Sequence, residues 1–211
     1  LAKPADSIKR VTAVEPEWTT ERRFNETGPR VPFPATAIVY RAPRTNSTDI
    51  PALRLAASIL SGGESSRMYQ SLVRNQQIAQ QADLDLELNT EGGRMSFIGV
   101  GSDKGTSENL EKAMLAELKK IQDSGVTAKE LEKAKNRAIA AAIRSRETND
   151  GKAIIIERAV AYLGDPKAVN AEVAKLQAVT AADIQRVMKQ YFKDNNRVVI
   201  YYNQAKAAEA K

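Results

Sequence analysis

The sequence predicts an α+β fold, one antiparallel-rich mixed sheet with helices packed on one face. Three observations carry that reading. Residues 36–41 and 197–202 are short β-branched runs, and Leu84, Leu86 and Leu88 alternate with Asp83, Asp85 and Glu87 as a half-buried strand does. Elsewhere apolar residues recur at helical spacing, as in Leu110, Met114, Leu118 and Ile121. The order is strand, strand, two helices, hairpin, several helices, strand, and this grouping favours a helix-covered sheet over an alternating parallel fold. A length of 211 residues, 42% hydrophobic and 27% charged, fits one globular domain.

Residues 1–34 read as a linker and N-terminal extension. They hold five of the eight prolines and lack a basic–apolar–small signal pattern. The chain begins with Leu, which suits a piece of something longer or a processed chain. Residues 18–27 offer an edge strand that Gly28-Pro29 ends. The domain proper is expected over 35–203. A helix opens at Asp49 or Ile50 with Pro51 in its first turn, where a missing N–H costs little. Leu53, Ala56, Ala57 and Leu60 form its stripe, and Gly62-Gly63 supplies a left-handed stop. Ser65 or Ser66 is expected to cap a second helix through Met68, Leu72 and Val73 to about Asn75.

The hairpin follows, with Gly92-Gly93 in its turn and Met95 and Phe97 on one face of the returning strand. A helix runs from Thr106 to Gly125. Thr127-x-x-Glu130 matches a capping box for the next, which presents Leu131, Ala134, Ala138, Ala141 and Ala142. Asn149-Asp150-Gly151 marks a break or a kink, after which Ile155, Ala159, Tyr162 and Leu163 continue in helical spacing to the turn Gly164-Asp165-Pro166. Thr180-x-x-Asp183 caps a last helix with Ile184, Val187, Met188 and Tyr191 on one face, and Asn195-Asn196 turns into the final strand. Residues 204–211 are expected to fray.

The chain has no Cys and no His. Disulfides, thiol catalysis, Ser-His-Asp triads and every His- or Cys-dependent metal motif are therefore excluded. The net charge of +6 invites an anionic partner, but between 129 and 158 eight basic residues are interspersed with five acidic ones. Mixed signs read as solvated helix faces, and one Trp with four Phe gives no stacking platform, so no nucleic-acid partner is expected. No apolar run approaches the ~18 residues of a membrane span, so no membrane partner is expected either.

The segment Ser61-Gly62-Gly63-Glu64-Ser65-Ser66-Arg67-Met68-Tyr69-Gln70, followed by Leu72-Val73-Arg74, resembles the "GG-x-SSRL-[YF]-x-x-L-R" stretch of the pitrilysin/insulinase-like (inverzincin) zinc metallopeptidases. Tyr191-Phe192 with Asn196-Arg197-Val198-Val199 is similar to the closing helix-to-strand "YF…NRVVV" of the same domain. The similarity runs over roughly residues 30–203. It implies a C-terminal, non-catalytic domain, with zinc held by an inverted His-x-x-Glu-His motif in an N-terminal domain of the same chain and a peptide substrate enclosed between the two. This segment alone is then inactive, without metal ligands or catalytic residues of its own. A periplasmic or exported location is implied as well. The alternative is a non-enzymatic assembly or interaction subunit of the same fold.

The resemblance assigns two residues. Arg74 matches an Arg that holds the peptide near the scissile bond through bidentate guanidinium hydrogen bonds, and its ordinary reading is a helix-end Arg. Seven residues on, where the family has Tyr, this chain has Gln81, which lacks a phenolic O–H for a developing oxyanion. The implication is a site divided with a homologous partner chain that supplies the Tyr. Three further features stay open between two readings. Residues 84–88 are an edge for a peptide to extend or a half-buried core strand; Asp83, Asp85 and Glu87 are cation ligands or a solvated face; Gly62-Gly63 is an anion cradle or a helix stop. Arg67 and Tyr69 read as structural.

Overall fold

Five strands form one sheet in the computed structural model, which describes Pro16 and residues 18–205. They are β1 (Arg22–Gly28), β2 (Ala35–Ala42), β3 (Ala79–Leu88), β4 (Gly93–Gly101) and β5 (Arg197–Gln204), in the order β1-β5-β2-β4-β3. Only β1 and β5 run parallel; β5–β2, β2–β4 and β4–β3 are antiparallel. The two strands at the ends of the motif region are thus neighbours, Ile38 opposite Val199. Residues 22–28, expected within an extension before the domain, are built into the sheet as its edge strand. The expected fraying falls on 206–211, outside the described residues, while Ala205 N–H still donates to Gly28 O at 2.9 Å.

The described residues form six α-helices, and all but the fifth follow local signals in the chain. They are α1 (Ile50–Ser61), α2 (Ser107–Ser124), α3 (Ala128–Arg144), α4 (Asn149–Arg158), α5 (Glu172–Ala178) and α6 (Ala181–Tyr191). Thr106, Thr127 and Thr180 each close a capping box, with Asn109, Glu130 and Asp183 answering. Each box satisfies donors that the first helical turn would otherwise leave bare. The α2 stripe Leu110, Met114, Leu118 and Ile121 is at most 2% exposed. It packs with α1 and α6 on one face of the sheet, over Ile38, Tyr40, Met95 and Phe97. Tyr40, Phe97 and Phe192 meet edge to face there, with ring centroids 5.0–6.0 Å apart. The Gln122 side chain donates to Met188 O and Phe192 O, and Gln185 donates back to Gln122 O, so two amides tie the C-terminal end of α2 to α6.

At four places the structure adds to or departs from the sequence reading. Helix α1 opens at Ile50, as expected, and the Asp49 carboxylate before it accepts from Arg186 Nη2 at 2.7 Å and Tyr191 Oη at 2.8 Å, bracing α1 against α6. Neither Ser65 nor Ser66 makes a capping bond to the next segment, whose last two turns, Tyr69–Asn75, are wound as π-helix. Tyr162 and Leu163 continue the helical segment as expected, but in a second π-helical turn, Ala159–Leu163, where they are 40% and 43% exposed. The break near Asn149-Asp150-Gly151 lies just upstream, at 145–148, and Thr148 caps α4 through Gly151 N–H. The 3-10 turn Pro166–Ala171 and α5 have no counterpart in the sequence reading.

Candidate functional site: the uncovered sheet face

The helices leave the other face of the sheet without a covering element among the described residues. Strand register places its rows directly. One row runs Phe24, Ile200, Ala37, Ile98 and Asp83; the next runs Glu26, Tyr202, Ala35, Val100 and Gln81. Val198 and Val39 continue the apolar centre. Phe24, Ile98 and Tyr202 are 44–49% exposed, although they stand on a regular sheet. The sequence signal was present: Val198 to Tyr202 is apolar without alternation, the mark of a strand that needs cover on both faces. The helices supply one cover only.

Polar groups border this apolar centre. Along β3 stand the exposed Asp83, Asp85 and Glu87, with Arg94 Nη2 2.8 Å from Glu87. At one corner Trp18 lies between the guanidinium groups of Arg22 and Arg41, each 5.9 Å from its ring. Arg41 also donates to Pro16 O at 2.8 Å. The sequence offers Trp18 only as the start of an edge strand, because nothing local ties it to Arg41, twenty-three positions on.

β3 is both things the sequence left open, a sheet edge and a half-buried strand with Leu84, Leu86 and Leu88 against the core. Its pairing with β4 slips by one residue between Ala79 and Gln81, so Gln81 is the first regular position after a bulge. Bulges re-aim side chains and recur beside functional sites. Gln81 is exposed, and its Nε2 donates to Asp83 Oδ2. Arg74 is exposed in the last turn of the π-helical segment that packs along β3, with no hydrogen bond or ion pair among the described residues. Gln77, in a left-handed conformation at φ 55°, turns the chain between them; its carbonyl accepts from Ser102 Oγ at 2.6 Å. Arg74 and Gln81 thus come from adjoining elements and share no hydrogen bond. Arg67 is structural, paired with Glu130 at 2.7 Å.

Metal ligands are not among these groups. The chain has neither imidazole nor thiolate, and no three carboxylates converge among the described residues, Asp83, Asp85 and Glu87 included. The donor set does not fit a zinc site, which takes His, Cys or closely grouped carboxylates.

The chain is similar to known proteins. The zinc protease PqqE of Helicobacter pylori is 26% identical over 166 residues, covering 78% of this chain and 37% of that protein. A solved protease from Helicobacter pylori superposes with a TM-score of 0.88 at 23% identity, over 95% of this chain and 48% of that one. The periplasmic protease PqqL from Escherichia coli does so at 0.72 and 14%, over 89% of this chain and 21% of that one. The chain therefore spans less than half the length of these relatives. A family model described as the peptidase M16 inactive domain matches residues 3–138, about two thirds of the chain. On that match, this chain belongs to the peptidase M16 inactive-domain family.

Proposed function

We propose that this chain is the non-catalytic C-terminal half of a zinc metalloendopeptidase, enclosing a peptide substrate and positioning it opposite an N-terminal zinc-binding half of the same protein. One observation carries the reading: an apolar sheet face left open by the helices, with Gln81 at its β3 edge and Arg74 exposed on the helical segment that packs along β3. Such a face gains by burial at about 25 cal/mol per Å² of apolar surface, and an extended peptide can supply that surface. Arg74 offers bidentate donors to a peptide carbonyl or carboxylate. Gln81 stands where the family has Tyr, and its amide is engaged by Asp83. That carboxylate would oppose a developing oxyanion, which favours a site completed by a homologous partner chain. A periplasmic or exported location is supported by the name of the similar PqqL, described as periplasmic.

The test uses the full-length protein. Ile98→Glu places a charge at the centre of the open face, on a side chain already 44% exposed, so the fold should tolerate it. The expected result is a KM for peptide hydrolysis raised about tenfold, equivalent to ~1.4 kcal/mol, with zinc content unchanged. An unaltered KM in a protein with wild-type circular dichroism would reject substrate enclosure and favour an assembly role.

A further inference from the structure

We propose that the cleft where the end of α1 and residues 62–66 meet α3 is a binding site for a small oxyanion, a phosphate-type group or a carboxylate. Ile59 and Ala134 form its apolar wall, and Ser65, Ser66, Lys133, Arg137 and Glu130 bring polar groups to it; it lies away from the open sheet face and encloses about 30 Å³.

Two observations converge there. The first is an orphan donor. Ser66 is 4% exposed, lines the cleft, and its Oγ has no hydrogen-bond partner. A buried hydroxyl without a partner is disfavoured by about 1–3 kcal/mol, so the fold keeps it at a cost unless something accepts from it. The second is charge. Lys133 and Arg137 stand one turn apart on α3, and among the described residues neither has a carboxylate partner. Lys133 Nζ donates to Ser65 Oγ, and Arg137 Nη1 donates to Gly62 O, both neutral oxygens.

The acid at the cleft is already spent. Glu130 accepts from Arg67 Nε and Nη2 at 2.7 and 2.9 Å and from Thr127 N–H, and it is held down at about 2, chiefly by Arg67. It stays ionised, but it neutralises Arg67 and leaves the two α3 cations uncompensated. The chain entering the cleft is bare as well. Gly63 sits at φ +88°, and a Cβ on Gly62 would lie 2.2 Å from Ser58 O, so no side chain can take the ligand's place there. Ammonium, guanidinium and hydroxyl donors gathered at one small opening suit an acceptor with several anionic oxygens better than a neutral or monatomic one. With about 30 Å³ inside, one or two oxygens enter and the rest of the group remains in solvent.

The experiment titrates full-length protein with inorganic phosphate by calorimetry at constant ionic strength, with acetate and chloride alongside. The expected result is saturable phosphate binding near 1 mM or tighter. Lys133→Ala/Arg137→Ala should lose it by at least about tenfold and Ser66→Ala should weaken it, all with wild-type circular dichroism and peptide hydrolysis. Comparable binding of acetate would assign the site to carboxylates, and its absence to phosphate-type groups. Phosphate binding that survives in the double variant, or heats no larger than those of chloride, would overturn the proposal and leave Ser66 with a water only. Loss of peptide hydrolysis through Ile98→Glu would leave this result untouched, so the two readings fail separately.

Discussion

Gln81 projects from the first regular position after the β3 bulge with its amide donated to Asp83, two residues on along the same face. An amide so engaged has little left to offer an oxyanion, and removing it should matter little. In the full-length enzyme with any partner chain present, kcat for Gln81→Ala is expected within about tenfold of wild type, and Gln81→Tyr likewise. A loss of ~10²-fold in the protein without a partner would mean that Gln81 completes the site in cis. Arg67 and Glu130 allow a prediction of a different kind. Their pair is 19% and 29% exposed, and Arg67 also donates to Gly125 O at 3.2 Å, joining the start of its own segment to the α2–α3 turn. Arg67→Ala should destabilise by about 2 kcal/mol, less than the loss from a fully buried pair, as read from a denaturant midpoint. The folded carboxyl of Glu130 lies at about 2, below its ordinary 4.5. Its contribution is therefore whole above about 4.5 and is lost as pH falls from there towards 2. Arg67→Ala should flatten the acid dependence of stability across that window, and an unchanged dependence would assign acid sensitivity to other carboxylates.

At the scale of elements, what could be read in the sequence was whatever local chemistry dictates. Thr127 and Glu130 announce α3 because a side chain three residues from its cap needs no tertiary partner to form the box. The α2 stripe was legible for a similar reason, since one face of a long helix must be buried somewhere. Segments decided by packing were not legible. Tyr162 and Leu163 have helical spacing, yet the π-helical turn that carries them points them outward. α5 is seven residues long with one fully buried side chain, Leu176, too little to form a period. The role of Asp49 was not legible because its partners, Arg186 and Tyr191, are over 130 residues away. For the candidate site the same division holds. Arg74 and Gln81 were found by motif order, whereas Phe24, Ile98 and Trp18 acquire meaning only through strand register and a long-range stack. The aromatic junction supplies the test at this scale. Phe192 follows α6, is 5% exposed and meets both Tyr40 and Phe97, so Phe192→Ala should destabilise by about 3–5 kcal/mol in thermal or denaturant unfolding. A loss under about 1 kcal/mol would show that the junction repacks.

For the whole molecule the governing fact is a sheet that is apolar on both faces and covered on one. A strand such as β5, with Val198, Val199 and Ile200 in succession, has more to bury than this chain's helices can take. The zinc chemistry of the related proteases has no home here either. Without His and Cys the chain offers only carboxylates, and these are dispersed or engaged. Glu111 is taken by Arg23 and Tyr201, Glu130 by Arg67, Asp49 by Arg186 and Tyr191. Isolated carboxylates hold zinc weakly, because the ion then keeps most of its water and gains no chelate. The 211-residue chain on its own is therefore expected to retain no stoichiometric zinc after exhaustive dialysis and to cleave no peptide, while the full-length protein does both. Elemental analysis and a peptide-hydrolysis assay on the two proteins in parallel give the answer. One tightly held zinc per chain in the isolated domain would mean that its carboxylates converge in a way the sheet geometry does not provide. Zinc absent from both proteins would instead remove the catalytic half, leaving the open face to an assembly partner rather than a substrate.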